Sequence, residues 1–446
     1  MRERTTIKEA ESRGKLERIQ LCGHVAAIRA LGKISFLNLR DASGQIQCVA
    51  DSAETIEALA SMSPETPVSI TGKLKQGQGE SLEVLLESIV PLSEPATSLP
   101  VEIAKDKKVD NLALKTLLDY RPITLRNRKV KAIFKIEAAI TRAFRSYLTS
   151  QGFTEIHTPK IVATGTEGGA QLFALEYFGK TAYLAQSPQF YKQMMVGVFE
   201  RVFETAAVYR AEEHDTTRHL NEYISLDFEM GFIESEQDVI AMQVGLLEHI
   251  FAHVAETCQE ELAIYEARVP VFEEIPRISI EDACRLIEKE YGWQPGESSH
   301  YDLDPEGERL ICEHYREKEG VELVYILHYP LDNRPFYTMP LTSPESNGSK
   351  GPAGKKRSRS FDLLFRGLEV TTGGQRIHRI EDLEAAISGR GLDPADFEGY
   401  LQCFRYGMPP HGGLAIGLER LAKQLLGLKS VKQAALFPRD LHRLSP

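Results

Sequence analysis

At 446 residues, the chain is too long for one ordinary domain, and two or three are expected. Its 42% hydrophobic and 26% charged residues are the balance of a globular protein in water. No apolar run approaches the ~20 residues of a membrane helix, and the N-terminal MRERTTIKEAESRGKLER has no apolar signal core, so a cytoplasmic protein without membrane contact is expected. The formal net charge of −11 argues against non-specific coating of nucleic acid, but it leaves room for local basic patches that grip phosphates.

Cys22, Cys48, Cys258, Cys284, Cys312 and Cys403 are scattered and form no CxxC pair. Neither a structural zinc site nor a disulfide framework is expected, and buried thiols are the better reading.

In chain order, residues 16 to 93 carry five β-rich runs, LERIQLCGHVAAIRA, KISFLNLRDA, GQIQCVA, PVSITGKLK and LEVLLESIVPL, separated by turn signals such as Ala42-Ser43-Gly44. Five short strands in so small a space predict a barrel of the OB type over residues 1–95. The polar, proline-containing SEPATSLPVEIAKDKKVDN opens a hinge over 96–128. From Lys129 to Ser150, Ile133, Ile136, Ile140, Ala143, Phe144 and Tyr147 recur at helical spacing, and Gly152 is placed to end the helix. Alternating strands and helices fill the rest of a large domain, 129–446. Within it, TSPESNGSKGPAGKKRSRS at 342–360 is expected to be a solvated surface loop whose basic residues lie within reach of RNA phosphates.

The chain has no GxxxxGK[ST] loop and no GxGxxG after an early strand. If ATP is used, side-chain cations and metal ions must hold its phosphates. VYRAEEHDTTRHLNEYISLDFEM at 208–230 offers such cations. A strand ending at Arg210 leads through a polar loop into a second strand, so that Arg210, Arg218 and His219 converge at the tip of a hairpin. Guanidinium forks match phosphate oxygens, although a hairpin with merely solvated charges at its tip has the same pattern.

This segment resembles motif 2 of the class II aminoacyl-tRNA synthetases. GFTEIHTPKIV at 152–162 resembles their motif 1, with Pro159 at the dimer interface, and GLAIGLERLAKQLLG at 413–427 resembles motif 3. All three occur in the family's order. QSPQFYKQMM at 186–195, RPFYTMP at 334–340, TTGGQRIH at 371–378, FRYGMPPHGG at 404–413 and the C-terminal LFPRDLHRLSP are similar to the aspartyl branch in its compact archaeal form. The resemblance covers residues 16–446. It implies an α+β fold: an N-terminal OB barrel that binds the anticodon, then a catalytic domain built on an antiparallel sheet flanked by helices.

Function and roles follow from the same resemblance. It implies an aspartate–tRNA ligase that uses ATP and Mg²⁺, works as a homodimer, and forms an aspartyl-adenylate before transfer to tRNA(Asp). Lys192 and Arg376 would hold the side-chain carboxylate of aspartate, with Asp227 holding those two cations in place. Glu167 and Gln189 would accept from its α-amino group, with Ser187 in the pocket wall. The glycines around Glu167 suggest a closing loop. For ATP, Arg210 would meet the α-phosphate and Arg420 the γ-phosphate. Arg218 and His219 would reach the outer phosphates, Glu212 the adenine amine, and Tyr223 would stack on adenine. Asp362, Glu369 and Thr372 would supply oxygen to Mg²⁺. In the barrel, Phe36, Gln47 and Glu83 match positions that read the central anticodon uridine, although Phe36 by itself also suits a barrel core, and Arg40 is a further candidate RNA contact. His24 stands where strict enzymes carry tryptophan. Histidine there is associated with relaxed enzymes that also charge tRNA(Asn), so relaxed specificity is favoured while both forms stay open. Two alternatives share the fold: an asparaginyl enzyme, opposed by Lys192 and RPFYTMP, and a non-charging RNA-binding paralogue, opposed by the retained Arg210, Arg420 and acidic positions.

Overall fold

The structure is a computed structural model that describes residues 5–13, 18–77, 81–165, 172–294, 301–341 and 356–445. The chain divides into two compact units, Met1–Asn127 and Arg128–Pro446. Glu167, its neighbouring glycines at 168 and 169, and most of the basic 342–360 segment lie outside the described residues.

In the first unit, strands β1 (Arg18–Leu31), β2 (Ile34–Arg40), β3 (Gln45–Ala50), β4 (Pro67–Gln76) and β5 (Leu82–Pro91) close a barrel in the order β1-β2-β3-β5-β4. Alternation explains the closure. Leu37 and Leu39, Ile46 and Cys48, and Val84 and Leu86 point inward and are buried, while Phe36, Asn38, Gln45, Gln47, Glu83 and Leu85 between them are not buried. A helix absent from the sequence reading, Ala53–Ala60, joins β3 to β4, started by the Ser52 hydroxyl accepting from the Thr55 amide.

The stretch read as a hinge is more structured than its composition suggests. It contains short helices at Asp106–Asp110, Leu114–Asp119 and Arg121–Thr124. Asn127 donates to the Ile103 carbonyl and the Asp106 carboxylate.

The second unit is built on an eight-stranded sheet. Its members, in spatial order, are β12 (Arg277–Ser279), β13 (Leu323–Leu327), β14 (Ser360–Phe365), β15 (Leu368–Arg376), β16 (His411–Gly417), β11 (Glu222–Gly231), β10 (Arg201–Tyr209) and β6 (Thr154–Glu155). The pairings are antiparallel except at the two edges, β12 with β13 and β6 with β10. β7 (Ile161–Val162), β8 (Ala174–Tyr177) and β9 (Lys180–Leu184) form a small separate sheet.

One face of the large sheet packs on the helix Arg128–Ser150, whose Ile136, Ile140, Ala143 and Phe144 are buried, and on the helix Glu236–Thr257. The latter spans 22 residues at a mean hydropathy of 1.2. By length and composition it therefore passes as a membrane span, which corrects the expectation that nothing in the chain comes near one. Its apolar side belongs to the protein interior: Val239, Ile240, Leu246, Leu247 and Ile250 are all fully buried in the main core. The six cysteines are free thiols, four of them buried.

The 342–360 segment also differs from the expected solvated loop where it is described. Ser358 is buried and donates to the Tyr329 carbonyl, Arg357 pairs with Glu281, and Arg359 reaches Glu236 at 3.7 Å. These two arginines are spent on intramolecular carboxylates.

Candidate active site

The face of the sheet opposite the main core opens into a cavity of about 840 Å³. Its floor is made by the hairpin β10–β11 together with β15 and β16. The hairpin pairs Tyr209 with Glu222 at its tip, and β16 lies beside β11 with Ala415 opposite Asp227. On β11 residues 225, 227 and 229 share one face, because side chains alternate along a strand.

One end of the cavity is a buried charge network. The helix Gln189–Phe199 is held by Phe190, which stacks on Tyr400 at 4.3 Å and meets Phe397 edge-on at 6.0 Å. That anchorage turns Gln189, Lys192 and Gln193, which are three and four residues apart, toward the sheet. Lys192 is 1% exposed. Its ammonium donates to Asp227 Oδ1 at 2.9 Å and to the Leu414 carbonyl at 3.0 Å, and lies 3.3 Å from Glu229 Oε2. Arg376 donates to Glu229 Oε1 at 2.9 Å, to the Gly413 carbonyl at 3.0 Å and to Gln189 Oε1 at 3.3 Å. Its guanidinium also lies over the Tyr337 ring.

The sequence reading gave Asp227 the task of holding both cations. Asp227 meets Lys192 and accepts from the Ser225 hydroxyl, but the carboxylate that reaches both Lys192 and Arg376 is Glu229, which was not singled out. Its signal was present: a second acidic residue two positions on, on the same strand face. Burial opposes ionisation of Glu229, yet Arg376 and Lys192 outweigh it and hold the carboxyl below its usual range. Gly413 is a spatial requirement here, since a Cβ at that position would collide with the Phe228 carbonyl and Glu229. Two cations and two carboxylates thus balance in the absence of any bound molecule. Arg376, Gln189 and Ser187 line the cavity.

Behind Gln189, Gln193 links to His411 Nε2 at 3.0 Å, and His411 Nδ1 donates to the Pro409 carbonyl at 2.9 Å. Burial lowers the His411 pKa to about 4, so the ring is neutral, with its proton on Nδ1.

The other end of the cavity is cationic at the hairpin tip. Arg210, Glu212, Arg218, His219 and Tyr223 all line it. Asn221 fixes the loop by donating to the carbonyls of Arg210 at 2.6 Å and Glu212 at 3.0 Å. His219 bonds to Thr216, and its pKa is lowered by burial, with Arg420 and Arg218 adding to the shift and Glu212 opposing it. Arg420, near the start of the helix Leu418–Leu426, donates to the Glu369 carbonyl at 3.1 Å. The neighbouring Glu419 is buried and accepts from the Ile224 amide through both oxygens. Burial pushes its pKa up to about 7. This carboxylate tethers β11 immediately beside Tyr223, and the sequence reading did not assign it a part.

The proposed metal ligands sit on facing strands, with Asp362 opposite Thr372 in the β14–β15 register. Thr372 donates to Glu369 at 3.1 Å. Asp362 receives both Arg334 terminal nitrogens, at 3.1 and 2.7 Å. Burial, then repulsion from Glu369, raises the Asp362 carboxyl, although Arg334 opposes the shift. Burial, with a smaller push from Glu369, also raises Asp302 and Glu308, against Arg334 and Arg218 respectively. Among the described residues no group of three or more His, Cys, Asp or Glu side chains is arranged to hold a metal ion unaided. Two carboxylates and a hydroxyl nonetheless suit a hard cation that takes its other oxygens from a phosphate and water.

In the first unit, Phe36, Gln47 and Glu83 come from three adjacent strands and all face outward. Phe36 is half-buried outside the barrel core and stacks with Arg29 at 5.2 Å, and Gln47 donates to Glu83 at 2.7 Å. His24 lies on the same outward alternation of β1. Arg40 does not join this surface. It is buried and paired with Glu65 at 2.7 Å, which corrects its reading as an RNA contact. Pro159 is exposed, between the edge strand β6 and β7.

Comparison with known proteins agrees with this architecture. Residues 113–441 match the family described as tRNA synthetases class II (D, K and N), and residues 19–92 match the OB-fold nucleic acid binding domain. An aspartate–tRNA(Asp/Asn) ligase of Deinococcus radiodurans is 49% identical, covering 96% of this chain and 95% of its own. An aspartate–tRNA(Asp) ligase of Pyrococcus furiosus is 41% identical, covering 96% of each. The crystal structure of asparaginyl-tRNA synthetase from Pyrococcus horikoshii with asparaginyl-adenylate superimposes with a TM-score of 0.90 at 28% identity, covering both chains completely. The chain belongs to the class II tRNA synthetases, in the group of the D, K and N enzymes.

Proposed function

We propose that the protein joins L-aspartate to tRNA at the expense of ATP, through an aspartyl-adenylate. The observation that carries the reading is the Lys192–Asp227–Glu229–Arg376 network, which presents Arg376 to the cavity at the end opposite the arginine-rich hairpin tip. A substrate carboxylate finds a forked, permanently charged donor there. A carboxylate meets that donor with either oxygen, whereas the amide of asparagine has one acceptor oxygen and an NH₂ group. Names of relatives at 41–49% identity point the same way.

In this reading the α-carboxylate of aspartate attacks the α-phosphorus of ATP in line and pyrophosphate leaves. The terminal ribose hydroxyl of tRNA then attacks the adenylate carbonyl and AMP leaves. The protein contributes position and positive charge rather than a nucleophile. Lys192 and Arg376 bind the side-chain carboxylate, with Ser187 and Gln189 beside it and Glu167 at the α-amino group. Arg210 faces the α-phosphate. Arg218, His219 and Arg420 face the outer phosphates, while Glu212 and Tyr223 hold the adenine. Asp362, Glu369 and Thr372 would hold Mg²⁺, which would neutralise phosphate charge when bound. Asp362 must then exchange part of its pairing with Arg334.

Residues 1–95 serve as the anticodon reader through His24, Phe36, Gln47 and Glu83, since unstacked bases are recognised by aromatic faces and edge hydrogen bonds. His24 and the Asp/Asn name of the Deinococcus relative favour acceptance of both tRNA(Asp) and tRNA(Asn). A homodimer forms through the region of the exposed Pro159. The site of action is the cytoplasm. Charging of purified tRNA(Asp) and tRNA(Asn) with aspartate, beside pyrophosphate exchange with aspartate and with asparagine, tests the reading. Exchange driven by asparagine alone refutes it.

A further inference from the structure

We propose that Glu308 is a positioning residue for the polyphosphate end of the ATP site, acting through Arg218 and Glu369. The inference rests on the ATP reading above. Glu308 lies in the first turns of the helix Pro305–Glu319, far in sequence from each family motif. The helix is firmly based. Asp304 caps it by accepting from the Gly307 amide at 2.7 Å, and Leu310, Ile311 and Cys312 are buried in a local core with Ile280, Ile287 and Val324. From this base a single carboxylate oxygen, Glu308 Oε2, accepts from an Arg218 terminal nitrogen and from the Glu369 backbone amide, the latter at 3.1 Å.

Glu308 itself is buried, whereas Arg218 and Glu369 line the cavity. It therefore stands one layer behind the wall and ties together two wall residues from different elements. One is a cation on the hairpin loop, and the other is an acid at the start of β15. An arginine has five donors in a fixed fork. Fixing one terminal nitrogen from behind sets the plane of the fork and leaves its cavity side directed at an anion. Desolvating a carboxylate is costly unless partners use it, and Arg218 and the Glu369 amide are the partners that use this one. The arrangement fits a polyanion bound on Arg218 with its counter-cation on Glu369.

The test uses the full-length protein and two readouts: ATP affinity by calorimetry with MgATP, and steady-state pyrophosphate exchange. Glu308→Ala is expected to weaken MgATP binding and raise its KM by about tenfold or more, the size of one charge-assisted hydrogen bond. The KM for aspartate and the melting temperature should stay near those of the parent. Glu308→Gln keeps an acceptor for the Glu369 amide but loses the charge, so it should fall between parent and Glu308→Ala. The double variant with Arg218→Ala should lose less than the sum of the two single losses, because the part of Glu308's effect that runs through Arg218 is already gone. Unchanged MgATP affinity in Glu308→Gln and Glu308→Ala overturns the proposal. Additive losses in the double variant, or an aspartate KM that rises in step with the ATP KM, also overturn it. If Glu308→Ala fails to fold, Glu308→Gln decides alone. Absence of aspartate-dependent exchange in the parent refutes the aspartate reading, and the MgATP calorimetry still decides the part played by Glu308.

Discussion

Replacing Lys192 with methionine keeps the length of the side chain and removes its charge. Glu229 then keeps Arg376, but Asp227 keeps only the Ser225 hydroxyl, so one buried carboxylate loses its cation. The three side chains are at most 1% exposed for Lys192, Asp227 and Glu229, so solvent screening gives little relief. Breaking a buried pair from one side costs about 3–5 kcal/mol. Proton uptake sets a bound. Neutralising a carboxyl with an ordinary value of 4.5 at about pH 7 costs about 3.4 kcal/mol, at 1.36 kcal/mol per unit. A loss of about 3 kcal/mol is therefore expected near neutrality, shrinking by about 2 kcal/mol at about pH 5.5. The sign follows from linkage. In the parent, Arg376 and Lys192 overcome burial and depress Glu229, so its contribution is present above the unfolded value and is lost only as pH falls through the depressed one. In the variant Glu229 keeps the Arg376 part of that depression and loses the Lys192 part, while the buried cluster is left with two carboxylates to one cation and its surplus negative charge opposes ionisation. Stability is then retained in acid and lost as pH rises. Denaturant unfolding of parent and variant at both pH values measures the difference. In parallel, the KM for aspartate should rise by about 10- to 100-fold, the range of a charged hydrogen bond, with the KM for ATP little changed. A deficit of equal size at both pH values, or no deficit, refutes the charge-balance argument.

Three further outcomes are expected. Arg420→Ala should lower aspartate-dependent pyrophosphate exchange by about 10²–10³-fold, the loss typical of removing one donor aimed at developing charge, while circular dichroism and melting remain those of the parent. Phe36→Ala removes a half-exposed ring from the barrel surface. It should raise the KM for tRNA by about 5- to 150-fold, for the ~1–3 kcal/mol of one stacked base, and leave exchange without tRNA unchanged. Arg40→Met removes the buried partner of Glu65 in the first unit and leaves it only the half-exposed Arg126. Hydrogen exchange should show that unit opening about 1–3 kcal/mol more easily, with pyrophosphate exchange by the second unit retained.

The parts of this molecule that were legible in its sequence are those governed by local rules. Barrel strands announced themselves by alternation, and the helix Arg128–Ser150 by its spacing of Ile136, Ile140 and Phe144. The hairpin of Arg210 and Arg218 announced itself by two strands around a charged loop. What escaped depends on long-range pairing. Arg40 carries the composition of an RNA contact, and only the approach of Glu65, 25 residues away, consumes it. Arg357 and Arg359 look like a basic loop until Glu281 and Glu236 arrive from other elements. Glu308 is separated from Arg218 by 90 positions, and no periodicity in its helix marks it.

The charge network also changes how selectivity for aspartate must be argued. Two cations left without partners would attract any carboxylate and would reject asparagine simply by lack of charge. Asp227 and Glu229 already compensate Lys192 and Arg376, so bulk charge does not distinguish the two amino acids. Discrimination has to come from direction. On the cavity side Arg376 is a donor held rigid by Glu229, the Gly413 carbonyl and Gln189, and it cannot turn to become an acceptor. A carboxylate offers only acceptors and satisfies that donor from either oxygen. A primary amide must present its oxygen alone, and its NH₂ group then points at a cationic surface. The cost of such a mismatched buried donor is about 1–3 kcal/mol, added to the weaker bond that a neutral oxygen makes with the guanidinium in place of a carboxylate. Preorganisation by Glu229 is what makes this penalty unavoidable, because a loosely held arginine would rotate to accommodate the amide. The residue that sets aspartate against asparagine is then not only the cation that touches the substrate but also the carboxylate behind it.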